Sequence, residues 1–129
     1  MESADRSRLV LVVDDAEDIR ALWNETLTSA GYRVIEAEDG ERAVELALAH
    51  TPRVILMDMA MPNVDGWEAT RRIRKVLSDK ETAIVAVSAM SEIDGRAAAF
   101  AAGCDGFIAK PATPDDVRDV VRSFVEPPT

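Results

Sequence analysis

A single cysteine, Cys104, leaves this chain no internal disulfide, so its stability has to come from a buried core, and a reducing cytoplasm is its expected setting. No apolar run approaches the ~20 residues that span a bilayer. The first such run stops at two aspartates, so neither a membrane helix nor a secretory leader is expected. Positive charge is scarce, with 15 Lys and Arg against 24 Asp and Glu and a net charge of −9. A chain of that sign is repelled by DNA, RNA and anionic lipid, which argues against nucleic acid and membrane as partners. The only histidine, His50, precedes Thr51 and Pro52 at the end of a helical stretch, where a cation is favourable. No chemistry is assigned to it. No glycine-rich loop follows the first apolar run, which disfavours a nucleotide-binding fold.

What the chain does have is a regular alternation of two periodicities. Short apolar runs at 8–13, 33–37, 54–57, 83–87 and 106–109 predict strands. Between and after them, helical spacing predicts helices at 16–30, 40–49, 67–77, 92–102 and 114–125. In the first helix the inward stripe is expected to be Ile19, Leu22, Trp23, Thr26 and Ala30, with Gly31 as the C-terminal cap. Pro114 after Thr113 marks the start of the last helix, and Pro127 with Pro128 its stop. Strands alternating with helices predict an α/β fold, a parallel sheet covered on both faces. The length suggests one domain, 1–129, with a core over about 8–125 and flexible ends at 1–7 and 126–129.

Four of these runs end on chemically capable residues. The first is followed by Asp14 and Asp15, the third by Asp58, the fourth by Ser88 and the fifth by Lys110. Parallel strands put those ends on one edge of the sheet, the edge where open α/β sheets bind ligands. Clustered carboxylates repel one another by about 1 kcal/mol per pair in water and by several times that near a protein surface. A cation relieves that repulsion, and oxygen ligands without nearby His or Cys suit Mg²⁺. Asp58 is then a candidate carboxylate nucleophile, with Ser88 and Lys110 placed to hold a phosphoryl group.

The motifs Val13-Asp14-Asp15, Met57-Asp58-Met59-Ala60-Met61-Pro62 with Asp65-Gly66, Val87-Ser88-Ala89 and Lys110-Pro111 stand in the order and spacing of one family. Over about 8–125 the chain resembles the receiver domain of response regulators, including the single-domain regulator of bacterial chemotaxis. The resemblance implies a flavodoxin-like, doubly wound five-stranded sheet in the order 2-1-3-4-5, and a cis bond between Lys110 and Pro111. It implies that Asp58 accepts phosphate from a phosphohistidine on a sensor histidine kinase or histidine phosphotransfer protein. Asp15, Asp58 and the backbone carbonyl of Ala60 would bind Mg²⁺, with Asp14 acting through water. Ser88 and Lys110 would hold the phosphoryl group, and Ser88 with Phe107 would form the switch. Output would pass to a downstream protein through the face made by the fourth helix, fifth strand and fifth helix. The domain is read as a signalling phosphoacceptor of a two-component or phosphorelay system rather than an enzyme.

Other readings stay open at this stage. The chain could be a receiver taken from a larger hybrid kinase or regulator, or a haloacid-dehalogenase-like phosphatase, although Ala60 stands where that family has a second aspartate. Asp14 and Asp15 could be a solvated loop and helix cap, and Ser88 a cap for the fourth helix. Met57, Met59 and Met61 are read as packing, Cys104 as small core filler and Trp67 as a half-covered packing residue. The alanine-rich fourth helix lacks the charge pattern of receivers that pair through this face, so a monomer is expected.

Overall fold

Three of the strands are apolar at nearly every position because both of their sides are covered. The computed structural model describes residues 6–125 and arranges them as one five-stranded parallel sheet in the order β2-β1-β3-β4-β5. The elements are β1 (Leu9–Val13), α1 (Glu17–Ser29), β2 (Arg33–Ala37), α2 (Gly40–His50), β3 (Val54–Asp58), α3 (Gly66–Arg74), β4 (Ala83–Ser88), α4 (Glu92–Ala102), β5 (Gly106–Ala109) and α5 (Pro114–Val125). Every residue of β1, β3 and β4 is buried, whereas edge strand β2 buries only Ala37. The expected fold and strand order are those observed.

Alternation along the strands divides the core in two. Val10, Val12, Val54, Leu56, Val85 and Val87 face Trp23 and Leu27 of α1 and Val117 and Val121 of α5. Leu11, Val13, Ile55, Met57, Ile84 and Ala86 face Ala43 and Ala47 of α2, Ala69 and Ile73 of α3 and Ala99 of α4. Small residues on α2 and α4 let those helices lie close to the sheet. Met59 and Met61 are buried in the second cluster and Trp67 packs at its border, as expected of them.

Several boundaries and faces differ from the expectation. Leu22 is 41% exposed and Ala30 is exposed, while Leu27 turns inward. At 100° per residue Leu22 falls at the border of the arc formed by Ile19, Trp23, Thr26 and Leu27. Ala30 lies past the last helical residue. The α1 terminus is a Schellman motif: Tyr32 N–H donates to Leu27 O (3.0 Å) and Gly31 N–H to Thr28 O (3.0 Å), with Gly31 at φ 97°. α3 ends at Arg74 rather than at 77, and β3 and β4 each run one residue further, through Asp58 and Ser88. Arg6–Arg8, of which residues 6 and 7 were expected in a flexible end, form a 3-10 turn, and Arg6 Nη1 donates to Thr51 O at 2.8 Å. The rest of the expected ends, 1–5 and 126–129 with Pro127 and Pro128, lies outside the described residues.

Arg74 ends α3 by reaching out of it. Its Nε donates to Gly103 O (2.7 Å) and its Nη1 to Thr82 O (2.7 Å), and its Nη2 pairs with Asp105 Oδ2. The same Asp105 oxygen accepts Ile84 N–H at 2.8 Å, so one ion pair ties α3, the start of β4 and the turn before β5. Beside it Cys104 is buried against Thr70, and burial pushes its thiol up to about 11. That matches a core filler and not a reactive thiol. No helix among the described residues is long and apolar enough to cross a membrane.

Candidate functional site

Backbone pairing continues past the apolar runs and holds the strand ends on one edge. Asp14 N–H donates to Ala37 O (3.2 Å), Met59 N–H to Val87 O (3.1 Å) and Lys110 N–H to Ser88 O (2.8 Å). Asp58, the last residue of β3, is paired across to Val87. The carboxylates of Asp14, Asp15 and Asp58 therefore meet, with one oxygen of each lying within 4.8 Å of the others. Lys110 Nζ stands 3.0 Å from Asp58 Oδ1.

Asp58 is 3% exposed and Asp14 6%, while Asp15 stands in solvent. Burial raises the Asp14 carboxyl above the ordinary aspartate range, and the charges of Asp58 and Asp15 push the same way. The Ala16 N–H, which donates to Asp14 Oδ1 at 2.9 Å, and Lys110 act against them. Asp58 Oδ1 accepts both Lys110 Nζ and Ala60 N–H (3.2 Å), and its Oδ2 accepts no hydrogen bond among the described residues. The Arg20 guanidinium is committed to the Asp14 carbonyl (2.8 Å) and to Glu36. Three carboxylates facing one ammonium form an all-oxygen donor set short of positive charge, which fits a hard divalent cation such as Mg²⁺.

The cluster opens into a cleft of about 580 Å³ that Ala60 and Lys110 also line. Ile19 and Trp23 of α1 and Val87, Pro111 and Ala112 form its apolar walls. In sequence Ile19 and Trp23 read only as part of the inward stripe of the first helix and Pro111 as part of a motif, while Ala112 carries no signal. The bond between Lys110 and Pro111 is cis, as the resemblance implies. Asp15 does stand in solvent, but neither aspartate caps α1 and Ser88 does not cap α4. Position 16, an alanine, is the cap residue of α1 and no side chain caps that helix, while Ser91 caps α4.

Neither Ser88 nor Phe107 lines the acidic cleft. Ser88 Oγ accepts Met90 N–H at 3.1 Å and lines a second hollow, about 480 Å³, which adjoins the first through Ala60. Phe107 is buried, with its ring beneath Gly95 and the Arg96 guanidinium 5.8 Å from the ring centre. A Cβ on residue 95 would stand 2.3 Å from Phe107 Cζ. In sequence Gly95 reads as a helix weakener; in the fold it makes room for the ring. Gly95→Ala gains about 1 kcal/mol of helix propensity, but it must overpack or expose a phenyl ring, at about 1–3 kcal/mol. The expected result is a net loss of stability in urea unfolding, together with altered Phe107 ring resonances. A gain in stability with unchanged resonances would show that the ring is not held by this gap.

Comparison with known proteins agrees with the geometry. The model of the response regulator receiver domain matches residues 10–122. The transcriptional regulatory protein ResD of Bacillus subtilis is 39% identical over 116 residues, covering 90% of this chain and 47% of that protein. Sporulation initiation phosphotransferase F of the same organism is 30% identical over 116 residues, covering 90% of this chain and 92% of its own. Among solved structures, the receiver domain of sensor histidine kinase PA1611 from Pseudomonas aeruginosa, with magnesium coordinated in its active-site cleft, superposes with a TM-score of 0.79 at 29% identity. It covers 92% of this chain and 97% of that one. The chain spans about half the length of the curated transcriptional regulators it matches. With the family model matched over nearly all of the sheet and an acidic pocket of the kind at which receivers bind Mg²⁺, the chain belongs to the response regulator receiver domain family.

Proposed function

We propose that Asp58 is the phosphoacceptor of a two-component or phosphorelay system, and that its donor is a phosphohistidine on a sensor histidine kinase or histidine phosphotransfer protein. The observation that carries this reading is Lys110 Nζ at 3.0 Å from a buried Asp58 carboxylate inside a cluster of three. An Asp58 oxygen bonds to phosphorus as the P–N bond to the donor breaks, and the imidazole leaves with that electron pair. Lys110 holds its ammonium against the incoming negative charge, and the Ser88 hydroxyl leaves Met90 N–H to donate to a phosphoryl oxygen. Asp15, Asp58 and the Ala60 carbonyl would hold Mg²⁺ directly and Asp14 through water. When bound, the ion supplies positive charge against the phosphoryl oxygens.

In this reading one receiver unit works as a monomer in the cytoplasm, catalysing only its own phosphorylation and dephosphorylation. Phosphorylation moves Ser88, Phe107 turns toward the vacated space, and the face formed by α4, β5 and α5 changes its affinity for a downstream protein. The magnesium in the cleft of the Pseudomonas receiver supports the metal assignment. Incubation with acetyl phosphate, followed by peptide mass mapping, tests the reading. The expected product is a base-labile phosphoryl group on Asp58 that fails to form once Mg²⁺ is chelated. Labelling of another residue, or labelling indifferent to chelation, overturns it.

A further inference from the structure

Between α4 and α5 the sheet edge is left open. Phe107, Ile108 and Ala109 of β5 and Val120 of α5 line a groove of about 310 Å³ whose remaining walls are acidic: Glu92 from α4 and Asp116 and Asp119 from α5. Glu92 is matched by Arg96 at 2.8 Å. Asp116 Oδ2 accepts Thr113 N–H, and Thr113 Oγ1 accepts Asp116 N–H in return, a capping box at the start of α5. Neither Asp116 nor Asp119 forms an ion pair among the described residues, whereas their neighbour Asp115 pairs with Arg118. α4, which lends Glu92 to the groove, turns apolar residues to solvent starting with the next residue along. Ile93 is 83% exposed and Phe100 51%, with Ala97 between them at i+4. A single exposed apolar residue is ordinary, but a line of them at helical spacing beside a groove marks a binding stripe.

We propose that this groove docks a basic amphipathic segment of a partner protein, with Lys or Arg side chains meeting Asp116 and Asp119 and apolar anchors lying on Val120, Ile93 and Phe100. The inference rests on the reading of the α4–β5–α5 face as the output surface and names the chemistry of what binds there. Charge complementarity selects the occupant. Two unmatched carboxylates beside an apolar floor disfavour an acidic segment, and the net charge of −9 steers cations inward from a distance. A symmetric second copy is opposed by the same charges, because a two-fold contact would set Asp116 and Asp119 against themselves.

The test uses two labelled peptides with one shared apolar pattern. One bears Lys and Arg at its polar positions and the other Glu and Asp. Anisotropy titrations are made at low and at physiological ionic strength. The basic peptide is expected to bind about tenfold more tightly, the worth of two exposed charge pairs, with the difference shrinking in salt. The double variant Asp116→Asn with Asp119→Asn is expected to lose most of that preference. Glu38→Gln with Glu41→Gln, remote on the β2–α2 side, keeps it. Because Asp116 also caps α5, amide shifts of the wild-type chain give a second reading, expected at Ala109, Val120 and Ile93. Equal binding of the two peptides, equal losses in the two double variants, shifts away from the groove, or self-association that blocks it would each overturn the proposal. Wild-type protein is labelled with acetyl phosphate in parallel. Labelling of Asp58 without peptide preference overturns this inference alone, and preference without labelling overturns the acceptor reading alone.

Discussion

Asp58→Asn is expected to leave a folded chain that takes up phosphate from acetyl phosphate or a phosphohistidine protein roughly a thousandfold more slowly, or not at all, as loss of a nucleophile usually does. The substitution keeps size and shape at a 3% exposed position, and the amide oxygen still accepts Lys110 Nζ and Ala60 N–H. What it removes is the nucleophilic charge. The site falls from three carboxylates to two against the same ammonium, so its attraction for a divalent cation falls as well. Intact-mass analysis over time, with circular dichroism to confirm the fold, is the measurement. Undiminished uptake at the same site would remove Asp58 from its role.

The parts of this molecule that the sequence made legible are those where one physical demand acts alone. Strands β1, β3 and β4 are buried on both sides, so their apolar runs are uninterrupted and easily found. Asp14 and Asp58 stand directly after two such runs and Lys110 after the shorter run of β5, and parallel pairing brings them to one edge. Legibility fails where a residue answers to a distant partner. Arg74 reads as one of several helix-surface cations, yet it is bonded to Thr82, Gly103 and Asp105. Gly95 reads as a flaw in α4, but its missing Cβ admits a ring from β5. Ser88 stands at the expected edge, yet its hydroxyl faces Met90 N–H, an orientation that spacing does not encode. The ends of β3 and β4 moved outward for a related reason: the polar residues there still pair through their backbones although the apolar pattern has stopped.

Arg74→Ala is expected to be a damaging change outside the cleft, at about 2–3 kcal/mol, less than the cost of breaking a fully buried ion pair from one side because the Arg74 and Asp105 side chains keep 15% and 19% of their exposure. The guanidinium donates to the carbonyls of Gly103 and Thr82, and its loss leaves those acceptors and the Asp105 carboxylate without their cation. The pH dependence separates this cause from simple loss of packing. Burial already raises the Asp105 carboxyl, with the Ile84 N–H and Arg74 opposing it, so removing Arg74 raises it further. A carboxyl whose folded pKa lies above its unfolded one favours the folded state while protonated. That contribution is fully present below the unfolded aspartate value and is lost as pH rises through the folded value. The penalty of Arg74→Ala should therefore be smallest at acid pH, where Asp105 is neutral in both proteins. It should grow as pH rises from the ordinary aspartate range through the raised folded pKa. Arg74→Met, which restores much of the apolar stem, should recover packing and leave the pH dependence in place. Urea unfolding of the three proteins across that range is the check. A penalty independent of pH would assign the loss to packing and remove the ion pair from the account of how α3, β4 and β5 are held together.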